Sequence, residues 1–162
     1  CSSDLLLLSL ASFTEVSAQV AHIDYAAILE SMPAVRRANS EIETFQKQLE
    51  KSAQAKLQII QDKYQKGVEK AQTGDMTPNE QAELEAEIEK LYAEYEAFSK
   101  KAEGDILKKR NTLLEPILTQ IENAVTSVAS EGGYAYILDI TTLLYYKPGN
   151  DVTSKVKAKL GI

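Results

Sequence analysis

Few residues in this chain could do chemistry, and they are scattered. His22 is the sole histidine and sits in a short apolar run, Ala21-His22-Ile23, that reads as a strand. Zinc sites of the usual kinds need several His or Cys ligands, and the sole cysteine is Cys1. A Ser–His or Cys–His pair would need a nucleophile motif near His22, and none is present. Packing in or at the edge of a strand is the favoured role for His22. Asp24 and Asp139 each close a strand candidate, and two carboxylates could share acid–base work. Capping or ending the strands is the commoner use of Asp at such points. Gly132-Gly133 lacks the spacing of a phosphate loop and reads as a helix terminator. The glutamates of residues 80–96 could gather divalent cations only weakly, and a solvated helix face explains them better. The residues therefore predict no catalytic, cofactor-binding or metal-binding site, and no small-molecule substrate. With one cysteine, no intramolecular disulfide can form.

What dominates the chain instead is a long charged helical hairpin between two short apolar segments. Residues 34–72 and 78–130 read as helix, joined by Thr73-Gly74-Asp75-Met76-Thr77. Ser31-Met32-Pro33 is a helix start, and residues 34–72 would run about 58 Å as helix. The first arm's expected apolar stripe is Ile42, Phe45, Leu49, Ala53, Leu57, Ile60, Tyr64, Val68 and Ala71. The second carries Leu84, Ile88, Leu91, Tyr95, Phe98, Ala102 and Ile106, a near-heptad seam. Two such stripes joined by a short turn predict antiparallel packing. Gly74 can end the first helix in the left-handed conformation, and Thr77-Pro78-Asn79-Glu80 is a capping box with Pro at the first helical position. Residues 34–72 hold eight basic residues against five acids, whereas residues 78–110 hold nine acids against six basics, which favours correct pairing of the arms. Gly67, mid-helix, costs about 1 kcal/mol relative to Ala and suggests a bending arm, so that Gly67→Ala would stiffen it.

Beyond the arm the apolar band widens through Leu113, Leu114, Ile117, Leu118, Ile121, Ala124, Val125 and Val128, predicting burial in the body. Pro116 predicts a kink there. Tyr134 to Ile140 and Leu143 to Tyr146 are β-rich, and Asp151 or Thr153 caps a short basic helix with Val152, Val156 and Leu160. The fold class is α+β: a long antiparallel α-helical hairpin, a coiled-coil tentacle, projecting from a small β-structured body. The division is residues 1–18 as an N-terminal segment and 19–162 as one domain, with the body in 19–33 and 111–162 and the arm in 34–110. A core this small often needs oligomerisation.

The net charge of −6 argues against nonspecific nucleic-acid binding. The apolar run of residues 5–11 and the small-residue site Val16-Ser17-Ala18 look like a secretory signal that lacks its basic start. Cys1-Ser2-Ser3-Asp4 resembles the start of a mature lipoprotein, and an apolar helix packed on the body is a third reading. The aromatics of the arm also have two readings. Tyr64, Tyr95 and Phe98 fit seam packing, while Tyr92 falls off the seam. Exposed aromatics, with Met76 at the tip, would bind unfolded chains without sequence preference.

The order of these parts resembles the OmpH-like, or Skp, family of periplasmic chaperones. The resemblance rests on Ala21-His22-Ile23-Asp24-Tyr25-Ala26-Ala27-Ile28-Leu29, the helical hairpin, and Gly132-Gly133-Tyr134-Ala135-Tyr136-Ile137-Leu138-Asp139. The tail from Asp151 to Gly161 is similar to Bacteroidetes-type versions, and the likeness covers roughly residues 20–162. It implies an ATP-independent periplasmic holdase and a homotrimer. Unfolded outer-membrane proteins would be held between the arms, without enzymatic activity. Client contact would fall on Tyr64, Met76, Tyr92, Tyr95 and Phe98, and the trimer body on Ile23, Tyr136, Leu138, Leu143 and Tyr145. Well-known members are strongly basic, so the acidity of this chain argues against lipopolysaccharide binding. The rival reading is a non-catalytic adaptor or structural envelope protein, lipid-anchored through Cys1.

Overall fold

The computed structural model describes residues 19–162; the N-terminal readings at Cys1 and residues 5–18 lie outside them. In chain order the elements are β1 (Gln19–Ile23), α1 (Tyr25–Ser31), α2 (Pro33–Gln72), α3 (Pro78–Gly132), β2 (Tyr134–Asp139), a 3-10 turn (Ile140–Thr142) and α4 (Thr153–Leu160). Asp24 starts α1 by accepting a hydrogen bond from the Ala27 amide at 2.8 Å. Asp139 caps the 3-10 turn in the same manner, through the Thr141 amide at 3.2 Å. Both aspartates therefore have the capping role expected of them. Pro33 occupies the first turn of α2, where its missing N–H costs nothing.

α2 and α3 form the hairpin. Their 40 and 55 residues correspond to about 60 and 82 Å of helix. α3 continues unbroken through Pro116 to Gly132. At the tip, Gly74 has φ +75°, a conformation glycine adopts without steric cost. Thr77 Oγ1 accepts from the Glu80 amide at 3.3 Å, and the Glu80 carboxylate accepts from the Thr77 amide at 2.9 Å. The capping box thus forms as its sequence predicts. Lys70 Nζ adds an ion pair to Glu80 at 2.6 Å, and these contacts hold the Glu80 carboxyl down at about 2. Because that value lies below the ordinary carboxylate range, the tip gains stability above about pH 4.5 and loses it as pH falls toward 2. Protection of the Glu80 and Gln81 amides, taken against the intrinsic exchange rate at each pH, should fall across that window, and Thr77→Ala should produce the same fraying at neutral pH, at a local cost of about 0.5–2 kcal/mol. Exchange at these amides that ignores both changes would rule out the box as the tip's clamp.

β1 and β2 pair in parallel, with Ala21 opposite Ile137, His22 opposite Leu138 and Ile23 opposite Asp139. Parallel neighbours require a crossover, and here the whole hairpin supplies it. The other edge of β1 is taken by the stretch before α4: the His22 amide donates to the Asn150 carbonyl and the Val152 amide to the His22 carbonyl, both at 3.0 Å. Leu143 to Tyr146, expected as β-rich, is not a strand in the chain. Both edges of β1 are occupied, and the segment runs past β1 without a partner of its own.

The core lies on one face of this sheet. Ala21 and Ile23 point into a cluster with Ile28, Met32, Ala38, Ile117, Ile121, Ala124, Val128, Val152 and Val156. The wide apolar band of α3 is therefore body, as its width predicts, and the body also reaches up α2 as far as Ala38. Ile23, assigned above to a trimer body, is 5% exposed in the chain's own core. α4 is tied across it by the Asp24 amide donating to Thr153 Oγ1 at 2.9 Å and by Lys157 Nζ donating to Ser31 Oγ at 2.7 Å.

Candidate functional site

Two surfaces could act on a partner: the arm and the outer face of the sheet. The arm's geometry starts from its seam. On α3 the half-buried positions are Leu84, Ile88, Leu91, Tyr95, Phe98 and Ala102, as the periodicity predicts. On α2 the seam departs from expectation beyond Ile60. Tyr64 is 62% exposed, and Val68 and Ala71 also face solvent, while Lys63 and Gly67 turn inward. The physical reason is period. Ile42, Leu49, Ala53, Lys56, Ile60, Lys63 and Gly67 keep the 3.5-residue repeat that holds a face against a partner helix, whereas the steps to Tyr64, Val68 and Ala71 drift off it.

Lysines at seam positions keep their stems in the interface and their heads near acceptors. Lys56 Nζ lies 5.6 Å from the Phe98 ring centre, Lys63 pairs with Glu87, and Lys70 with Glu80. Gly67 is buried against Leu84, and a Cβ there would fall well inside contact distance of Leu84 Cδ2. The glycine therefore permits close helix approach. Gly67→Leu should force the helices apart and cost about 1–3 kcal/mol. The readout is faster amide exchange around Gly67 and Leu84; unchanged exchange would count against close packing.

Ile59, Met76 and Leu84 line a cavity of about 500 Å³ near the tip, rimmed by these ion pairs. Met76 is thus half-buried beside the seam, and Tyr95 and Phe98 are half-buried within it. Tyr92 is 49% exposed, in keeping with its off-seam position. Of the five residues expected to contact a client, Tyr64 and Tyr92 are exposed, Tyr95 and Phe98 are half-buried in the seam, and Met76 is half-buried in the turn at the tip cavity.

The sheet's outer face is the second surface. His22 is 7% exposed there and packs against the Tyr146 ring, 4.8 Å between centres. Around it lies a cavity of about 450 Å³ lined by Val20, Leu138, Leu143, Tyr145 and Tyr146. Tyr136 is 62% exposed, Tyr145 78%, and Leu144 fully. Leu144 is not among the residues singled out from sequence; its signal there is the β-rich run Leu143-Leu144-Tyr145-Tyr146. Nearby carboxyls are engaged by hydroxyls: Asp151 is held below its usual range by the Thr153 hydroxyl, and Asp139 by the Thr141 hydroxyl; the N-cap of α4 is Val152, without a side-chain cap bond, in place of the Asp151 or Thr153 expected from sequence.

Among the described residues no group of His, Cys, Asp and Glu is placed to hold a metal ion, and no helix is long and apolar enough to cross a membrane. What the geometry defines is an α+β protein with a coiled-coil hairpin arm set on a two-stranded β body. The family described as outer membrane protein (OmpH-like) matches residues 19–160. The chaperone protein Skp of Yersinia enterocolitica is 31% identical over 164 residues, covering 96% of this chain and 94% of that protein. The chaperone protein Skp of Vibrio cholerae is 25% identical over 157 residues, covering 94% and 90%. A solved structure of a putative outer membrane chaperone (OmpH-like) from Caulobacter crescentus shares the fold with a TM-score of 0.75 at 12% identity, over 88% of this chain and 83% of that one. The chain belongs to the OmpH-like family.

Proposed function

We propose that this protein is a periplasmic holdase chaperone that binds unfolded outer-membrane proteins between helical arms and keeps them from aggregating, without ATP. The observation that carries the reading is the arm itself: a hairpin of about 60 Å or more with Tyr64 and Tyr92 exposed along it. Aromatic groups spread over a long surface grip apolar chain by many weak contacts and need no sequence match. Membership of a family whose Skp relatives are named chaperones supports the same conclusion.

The active form is a homotrimer. Its support is the outer sheet face, where Val20, Tyr136, Leu138, Leu144 and Tyr145 are exposed together and β2 has an edge without a partner among the described residues. Edges and apolar faces of this kind are completed by neighbouring chains. Three copies joined there would carry three arms around a shared space.

The experiment is suppression of aggregation. A urea-unfolded outer-membrane barrel protein is diluted into buffer with and without the chain, and scattering is followed. Near-stoichiometric suppression without nucleotide is the expected result. Scattering that rises as fast in its presence would sink the holdase reading and leave an adaptor for one folded partner.

A further inference from the structure

The antiparallel register of the arm gives its two long edges different chemistry. Gly67 against Leu84, Lys63 with Glu87 and Lys70 with Glu80 place both helices in one heptad frame. In an antiparallel pair, matching flank positions of the two helices meet on the same edge. One edge holds Lys63, Lys66, Lys70, Glu80 and Glu87 with two interhelical ion pairs. The opposite edge holds Leu57, Tyr64 and Ala71 of α2, flanked by Gln54, Gln61 and Val68, and on α3 Glu85, Tyr92, Glu89, Glu96 and Glu103. No Lys or Arg occupies these positions.

The same edge continues toward the body as a groove of about 300 Å³ lined by Leu49, Phe98 and Ile106, whose charged lining residues are Glu50 and Glu103. None of Glu50, Glu85, Glu89, Glu96 and Glu103 makes an ion pair among the described residues. Exposed aromatics and an apolar groove thus run beside carboxylates that lack a cationic partner.

We propose that this edge docks extended, cationic polypeptide: segments in which Lys or Arg alternate with apolar side chains. It rests on the holdase reading and adds to it the face used and the charge preferred. Apolar side chains of the segment pack on Tyr64, Tyr92 and the groove, and its ammonium or guanidinium groups reach the carboxylates of α3. On the opposite edge four of the charges are taken up in the Lys63–Glu87 and Lys70–Glu80 pairs.

The test uses the whole chain and two labelled peptides of equal length and apolar content, one with Lys and one with Glu at the alternating positions, read by fluorescence anisotropy. A urea-unfolded barrel protein runs in parallel as the client. The Lys peptide should bind roughly tenfold tighter at low salt, and added salt should shrink the preference. Glu89→Lys with Glu96→Lys should abolish it, and Tyr64→Ser with Tyr92→Ser should weaken both peptides. Lys66→Glu, on the opposite edge, should leave it unchanged. All these positions are exposed, so helicity by circular dichroism should match wild type. If the barrel protein is held but the edge variants bind peptides as wild type does, or Lys66→Glu moves the preference, the docking edge is wrong and the holdase reading survives. If wild type takes up neither peptides nor barrel protein, both fall.

Discussion

Ile121→Ala should lower the free energy of unfolding by about 2–5 kcal/mol. Ile121 has no exposed surface and lies at the centre of the body cluster with Ile28, Ile117 and Val156. Its removal costs the transfer of the lost carbons and leaves a cavity that rigid helices fill poorly. The body joins both ends of the hairpin to the sheet, so a loss this size is a large part of the stability of a small domain. Urea unfolding followed by circular dichroism measures it, at fixed chain concentration because assembly adds to apparent stability. Leu107→Ala is the control: Leu107 is 60% exposed on the arm, and its truncation should stay within about 0.5 kcal/mol. Equal effects from the two substitutions would mean that the body cluster does not hold the fold.

Leu144→Asp combined with Tyr145→Asp should convert the assembled protein to single chains. Both side chains are exposed in the isolated chain, so the charges cost little there. In a shared interface they would be buried without partners, at several kcal/mol. Light scattering reads the outcome as a fall from three chain masses to one, with helicity unchanged. Client suppression should fall with it, since one arm cannot enclose a chain. A variant that keeps three chain masses would move the interface elsewhere; a wild type that is already monomeric would remove the trimer altogether.

Much of this protein is decided by local rules, and those parts are legible in the residues. Asp24, Thr77-Pro78-Asn79-Glu80 and Gly74 specify caps and a turn through their own hydrogen bonds and backbone preferences, which need no distant partner. The α3 seam and the widening at Leu113 follow from spacing alone. Tertiary structure decided what depends on a partner surface. Whether Tyr64 or Lys63 faces α3 turns on supercoil period and on Gly67 admitting Leu84, and apolarity by itself points to the wrong residue because a lysine stem can fill a seam position while its charge reaches Glu87. Residues 143–146 form no strand, and Asn150 to Val152 occupy the second edge of β1. Ile23 and Tyr136 looked alike as strand residues, yet pleat direction and the cover of the helices bury the first and expose the second. Sequence by itself determined the hairpin helices and the capped turn between them, because those energies are local; only packing decided which faces remain open, because exposure is a property of the pair and not of the residue.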